Sequence, residues 1–226
     1  MSCRKISRFS RSRVSERWSR RTSITARPGL PGKNKGAYVV KVPGTPQLLN
    51  PFRFCPTCSS AGISIKPDRS IQCSACGFNF FFNTASSVVG LIEDDQARIL
   101  LTVRAYDPQK GTLDLPGGFV DFEESAEDAL RREIREELNL SVSKCSYFVS
   151  FPNTYTYDGI TYHTLDLAFI CLAESLDPMS KSDEIESIRF FPPKEIRLDL
   201  IGFDSIRNIL FRYMQFRSSL PPCALL

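Results

Sequence analysis

Three glutamates, Glu133, Glu136 and Glu137, and two cysteine pairs, Cys55/Cys58 and Cys73/Cys76, have the spacing that chemistry needs. On a helix, positions i, i+3 and i+4 share a face, so the three carboxylates are expected to converge on one patch. Like charges held that close repel unless a divalent cation or a buried arginine compensates them. Carboxylate oxygens are hard ligands that suit Mg²⁺ or Mn²⁺, ions that keep waters and bridge substrate phosphates. The bland alternative is a solvated charged face, the usual meaning of a helix rich in Glu and Arg. Taken alone, the three glutamates would favour it.

The cysteines are more specific. Cys55-x2-Cys58 and Cys73-x2-Cys76 are separated by fourteen residues. Each pair brings two thiolates to one side of a tight turn, and two such turns complete a four-sulfur tetrahedron that suits Zn²⁺ and leaves no open position for catalysis. A unit of roughly 30 residues has too small a core to hold itself together, so the expected role is structural. Zinc ribbons also bind nucleic acid or proteins, so this site does not by itself imply an enzyme. Cys3, Cys145, Cys171 and Cys223 are isolated, a usage that fits a reducing compartment better than a secreted disulfide scaffold.

The elements that must position these groups follow from periodicity. Leu130, Ile134 and Leu138 recur at helical spacing and predict a helix over Ser125–Leu138 with its apolar stripe beside the glutamates. Ser87–Glu93 and Arg98–Arg104 read as strands around an Asp94-Asp95 hairpin turn, followed by the Gly-rich loop Leu115-Pro116-Gly117-Gly118. Further strands are expected at Val142–Ser150 and Thr161–Leu172. A last helix is expected near Asp204–Phe216, with Asp204 as its N-cap. Interleaved strands and helices place the chain in the α/β or α+β class. The expected division is a basic disordered extension at 1–45, a zinc ribbon at 46–84 and a catalytic domain at 85–226.

The stretch from Gly118 to Leu140 resembles the Nudix box: Gly, five residues, Glu, seven residues, Arg-Glu, an aliphatic, any residue, Glu-Glu, any residue, Gly, an aliphatic. Every specified position matches except the second glycine, which is Asn139. At residue frequencies of roughly one in fifteen, six fixed identities coincide by chance about once in 10⁷ placements, so the joint pattern outweighs the solvated-face reading. Asn is the next-best residue for a left-handed helix end, so the departure is expected to cost little stability and no chemistry.

The resemblance implies an αβα sandwich around a mixed sheet, preceded here by the zinc ribbon. It implies that Glu133, Glu136 and Glu137 hold Mg²⁺ or Mn²⁺ with the backbone near Gly117, and that Arg132, paired with Glu124, orients them. One glutamate, Glu136 by preference, would serve as base. Asp183-Glu184-Ile185 before Ile188-Arg-Phe-Phe resembles a late family segment and makes Glu184 a further metal ligand, against the reading of an ordinary surface acid. A ribbon directly before the domain is similar to the NADH pyrophosphatase branch, and the likeness covers about residues 52–200. That branch carries Ser-Gln-Pro-Trp-Pro-Phe-Pro after the box. Here the region reads Ser150-Phe-Pro152-Asn-Thr-Tyr155-Thr-Tyr157, whose Tyr155 and Tyr157, with Phe119, either stack on a substrate or pack on a strand face.

The implied activity is metal-dependent hydrolysis of the diphosphate linkage in a nucleoside diphosphate joined to another moiety, with NADH or ADP-ribose as typical substrates. The rival readings are a Nudix enzyme removing a 5′ cap from RNA and a non-catalytic nucleotide-sensing module. Intact glutamates speak against the sensing module. His163 is the only histidine and reads as structural, so no Ser-His-Asp or Cys-His arrangement is arguable.

Composition sets the partners. Residues 1–45 hold twelve Lys or Arg and one acid, Glu16, against 17 basic and 24 acidic residues in the remainder. The overall positive charge is therefore that of a basic tail on an acidic domain, not a nucleic-acid footprint on the folded part. The tail reads as disordered, or as the product of a start placed too far upstream. Its Arg- and Ser-rich composition also suits an organellar import segment, the alternative to a cytoplasmic protein. No apolar run reaches the ~18 residues of a membrane helix, so no membrane partner is expected. Dimers are common in the family, the sole ground for expecting a homodimer.

Overall fold

In the computed structural model, residues 52–68, 70–158, 160–177 and 179–219 are described, and the basic extension expected at 1–45 lies outside them. The cysteine-bearing segment forms a small antiparallel sheet from strands β1 (Ile63–Ile65), β2 (Ser70–Cys73) and β3 (Asn79–Phe81), with β2 central. Its two knuckles are the same turn made twice. The Cys55 and Cys73 carbonyls accept from the N–H of Ser59 and Gly77, while the Cys55 and Cys73 N–H groups donate to Ser60 and Phe78.

The remaining strands form two sheets. One has the order β7-β4-β9-β8, from β4 (Ala85–Ile92), β7 (Gly117–Phe119), β8 (Val142–Tyr157) and β9 (Ile160–Ala173). Strands β4 and β9 run parallel and the other pairs antiparallel, giving the mixed sheet that was expected. The second sheet has the order β10-β5-β6, from β5 (Ile99–Arg104), β6 (Leu113–Asp114) and β10 (Ile185–Phe191). The Asp94-Asp95 turn is tight, Asp94 N–H donating to the Arg98 carbonyl at 3.0 Å, but only Glu93 and Ile99 pair across it before the strands part into different sheets.

Both helices cover sheet faces. Helix α1 (Ala126–Leu138) buries Ala129, Leu130, Ile134 and Leu138 against Val88, Ile92, Leu100 and Phe169. Helix α2 (Asp204–Ser218) buries Ile206, Ile209, Leu210 and Tyr213 against Val89, Leu91, Ile99 and Leu101. Alternate residues of β4 and β5 thus feed opposite cores, and near-continuous apolar runs are what strands covered on both faces require. The result is an αβα sandwich of the α+β class.

Several element ends lie one or two residues from expectation, and two further differences have a definite physical cause. Strand β8 continues through Pro152 to Tyr157, because β8 is an edge strand, where a missing N–H leaves no ladder partner unsatisfied. The N-cap of α2 is Phe203, not Asp204, which lies in the first turn and pairs with Arg207. A carboxylate there still complements the helix N-terminus. Among the described residues, no helix is long and apolar enough to cross a membrane.

Candidate active site

Local signals set α1 in place. Its N-cap, Ser125, accepts from the Asp128 N–H at 3.2 Å. At the other end Asn139 adopts φ 55° and ψ 30°, and its N–H donates to the Arg135 carbonyl at 2.9 Å. This is the left-handed cap foreseen for the substituted glycine. With the apolar stripe buried, Glu133, Glu136 and Glu137 run along the flank facing β7.

That strand meets the glutamates through two adjacent glycines. The Gly117 N–H donates to Glu137 Oε2 at 2.9 Å. Gly117 has φ +146°, and a Cβ there would lie 2.0 Å from the Val88 carbonyl oxygen, so only glycine fits. A Cβ on Gly118 would lie 2.4 Å from the Glu133 carboxylate carbon. Arg132 gathers the outer acids. Its Nε and Nη2 donate to the two oxygens of Glu124, each at 3.0 Å. Its Nη1 donates to Glu133 Oε1 at 2.8 Å and Glu136 Oε2 at 3.2 Å, and Nη2 also reaches the Phe119 carbonyl at 3.0 Å.

The charge is only partly balanced. Burial pushes the Glu137 carboxyl up to about 8, and the charges of Asp114, Glu133 and Glu184 push the same way against the Gly117 N–H. Burial also raises Glu133, opposed by Arg132 and reinforced by Glu136 and Glu184. Glu124 is held low by its bond to Arg132. Glu184, itself exposed, is therefore near enough to act on both inner glutamates. These acids do not close into a cage, however: among the described residues only the four cysteines bring their ligand atoms all within 4.8 Å of one another. Arg132 instead holds Glu133 and Glu136 on its own guanidinium. Their chemistry fits a hard divalent cation, which would supply the charge that Arg132 does not.

Beside the glutamates opens a cavity of about 400 Å³. Gly117, Gly118, Phe119, Glu137 and Glu184 line it, as do Tyr155, Tyr157, Asn153 and Phe203. Glu133 and Glu136 do not; they lie along the Arg132 side of the glutamate row. Between the acids and the aromatics sits Arg104, whose Nη1 donates to Asp114 Oδ2 at 2.9 Å and Nε to the Pro108 carbonyl at 2.8 Å. Its guanidinium lies over the Phe203 ring, 5.1 Å from the centroid. Burial pushes Asp114 up to about 6 in spite of Arg104. Asp166, buried on β9, accepts from Ser87, Ser205 and Thr164. Sequence reading missed Arg104, Asp114, Asp166 and Phe203: Asp166 meets Ser87 and Ser205, and Phe203 meets Arg104, only through remote chain contacts, while the Arg104–Asp114 pair is closer in sequence but matches no recognised spacing. His163 faces Thr154 across the β8/β9 ladder and lines no part of the cavity.

The four cysteines form a second, separate cluster. Cys55 and Cys76 Sγ are 3.6 Å apart, and Cys58 and Cys73 Sγ 3.7 Å. A tetrahedral Zn²⁺ with bonds of about 2.3 Å sets sulfurs about 3.8 Å apart, so the cluster matches that ion.

A family model of the NUDIX domain matches residues 83–212, more than half of the chain. The chain belongs to the Nudix family. Among curated Nudix relatives, it is 27% identical over 173 residues to the NAD-capped RNA hydrolase NudC of Pseudomonas putida (strain W619), covering 75% of this chain and 58% of that protein. It is 28% identical over 112 residues to the NudC of Haemophilus influenzae (strain PittGG), covering 47% of this chain and 42% of that one. The chain thus spans about half the length of these relatives. Among solved structures, a NUDIX hydrolase from Nitrosomonas europaea superposes with a TM-score of 0.55 at 25% identity, over 74% of this chain and 93% of that one. A MutT NUDIX hydrolase from Burkholderia pseudomallei shares the fold, with a TM-score of 0.50 at 24% identity over 57% of this chain and 98% of that one.

Proposed function

We propose that this Nudix protein hydrolyses the diphosphate linkage of a nucleoside diphosphate joined to another moiety, with NADH- or ADP-ribose-like substrates. The observation that carries the reading is that Glu137 and Glu184 line one side of a nucleotide-sized cavity, with Glu137 held by Gly117, Glu133 packed against Gly118 and Glu136 next to it on the Arg132 guanidinium. These carboxylates would hold Mg²⁺ or Mn²⁺, which when bound activates water and offsets charge on the phosphoryl oxygens. The Arg132 bonds fix Glu133 and Glu136 in orientation, and Gly117 fixes Glu137. Glu136 is the most exposed of the three, its side chain 61% accessible, and is assigned as the group that takes the proton from the attacking water. Tyr155, Tyr157 and Phe119 supply aromatic surface for the rest of the substrate. Zn²⁺ on Cys55, Cys58, Cys73 and Cys76 would have a structural role.

The names of the NudC relatives favour a second substrate, RNA bearing a 5′-NAD cap, in which the same diphosphate bond is cut. Full-length protein, purified with zinc, would be given Mg²⁺ or Mn²⁺ and NADH, NAD⁺, ADP-ribose, nucleotide sugars, dNTPs and NAD-capped RNA. AMP or 5′-monophosphate RNA released by wild type and not by Glu136→Gln supports hydrolysis and separates the substrates. Silence from both proteins on every substrate, with nucleotide still bound, would return the sensing module. Sedimentation of the same sample tests the homodimer.

A further inference from the structure

The cavity's far wall has a polarity that hydrolysis does not use. Along β8, Phe151, Asn153 and Tyr155 are half-buried and alternate with exposed Pro152, Thr154 and Thr156, so they share the face turned toward the α2 core. On β9 the residues opposite Phe151 and Asn153 are Asp166 and Thr164, and Ser87 of β4 pairs with Asp166 from the other side. An apolar core face thus turns polar where it borders the cavity.

The hydroxyls there have a fixed sense. Thr164 Oγ1 donates its single proton to Asp166 Oδ1 at 2.8 Å, and Ser87 Oγ donates to the same oxygen. Both hydroxyl oxygens can then only accept from a ligand. Asn153 and Thr164 both line the cavity and are paired neighbours on the β8/β9 ladder, and the Asn153 amide makes no hydrogen bond among the described residues. It offers one acceptor and two donors. Tyr155 and Phe203 close the same region with aromatic surface, their centroids 6.1 Å apart.

We infer that Asn153 and Thr164 read the base of the bound nucleotide, selecting adenine by its exocyclic amine beside a ring-nitrogen acceptor. The inference takes from the proposed function only that a nucleotide occupies the cavity. An asparagine amide matches that edge bidentately, its oxygen taking the amine proton and its nitrogen donating to the ring. The Thr164 oxygen, able only to accept, suits the amine's second proton. Hypoxanthine and guanine present a carbonyl oxygen at that position; the Asn153 amide can turn over to donate to it, but the Thr164 oxygen, its proton committed to Asp166, can only face it acceptor to acceptor, so Thr164 sets the preference for the amine. Arg104 does not supply the selection, since Asp114, the Pro108 carbonyl and the Phe203 ring engage it.

The test is titration calorimetry of the full chain, in Mg²⁺ buffer, with AMP, IMP and GMP. None contains an anhydride, so binding is read apart from cleavage. AMP should bind at least about tenfold more tightly than IMP, which differs at the amine position and N1. Asn153→Asp, which keeps shape but only accepts, should abolish the preference for AMP and favour GMP, whose N1–H and N2–H₂ both donate. Equal binding of AMP and IMP to wild type, no binding of any of the three, or an unchanged preference in Asn153→Asp overturns the inference. The wild-type comparison decides even if the variant fails to fold, which thermal melting reports. Selective AMP binding without hydrolysis of any anhydride would leave this site standing and remove the hydrolase reading; hydrolysis without selectivity would do the reverse.

Discussion

Glu137 accepts the Gly117 N–H at 2.9 Å, and the next residue along β7, Gly118, leaves the space that the Glu133 carboxylate fills. Two adjacent glycines therefore serve two glutamates four apart, one by donating a hydrogen bond and one by lacking a side chain.

They should fail differently when replaced. In Gly117→Ala the new Cβ meets the Val88 backbone at 2.0 Å under φ +146°, so β7 must move off β4. The expected cost is of order 1–3 kcal/mol or more in chemical denaturation, with activity lost. In Gly118→Ala the clash is with the end of the Glu133 side chain, which can yield. Stability should change by less than about 1 kcal/mol while the Mg²⁺ concentration for half-maximal rate rises at least about tenfold. Equal destabilisation of both variants would refute the distinction.

Arg132 binds Glu124 with two parallel bonds and reaches Glu133, Glu136 and the Phe119 carbonyl with its remaining protons. A lysine keeps the charge but not the fork. Arg132→Lys should lower kcat by about 10- to 100-fold, with KM for the nucleotide little changed, because the severed hydrogen bonds hold the glutamates and none of them reaches into the cavity. A rise in KM alone would place Arg132 on the substrate instead.

How much of this is legible in the sequence depends on distance along the chain. Helix α1, its Asn139 cap and its buried stripe are local features, and each lies where spacing puts it, except that Ser125, read as the first helical residue, is the N-cap. The cysteine knuckles are two short turns, equally local. Strand β8 reads as ending at Ser150 because Pro152 interrupts the pattern, and only the sheet order shows that it is an edge. Strand β10 contains Ile188-Arg-Phe-Phe, a run too short and too weakly alternating to announce a strand by itself. The polar wall of the cavity leaves no local trace at all. Asp166 meets Ser87 and Ser205 at separations of 79 and 39 residues, and nothing in the spacing of a serine and an aspartate announces such a contact.

Chelation should act on the ribbon first. One Zn²⁺ per chain is expected on the Cys55, Cys58, Cys73 and Cys76 cluster by metal analysis, falling on Cys73→Ser substitution. The strands of this unit have three or four residues each, too few to persist without the ion. Zinc-depleted protein should be cut by protease within residues 52–82 while residues 85–219 stay protected. Unchanged protection of the ribbon after complete zinc loss would contradict a structural role.

Asp114 gives the pH dependence of stability a definite sign. Burial raises its carboxyl from the ordinary value near 3.8 to about 6, more than the Arg104 pairing lowers it. The native state thus holds this proton where the unfolded chain has released it. Stability from this group is complete below the unfolded value and is lost as pH rises toward 6, by roughly 2–3 kcal/mol in all. Denaturant titrations of chelator-treated protein at pH 4 to 7 should show that decline against the contributions of other groups. In Asp114→Asn the side chain keeps an oxygen for the Arg104 N–H and carries no titrating proton. The difference in unfolding free energy between wild type and variant should therefore slope across pH 4 to 6 and flatten above it. A difference that is constant throughout this window would mean that Asp114 ionises in the folded protein as it does in the unfolded one, with Arg104 fully offsetting its burial.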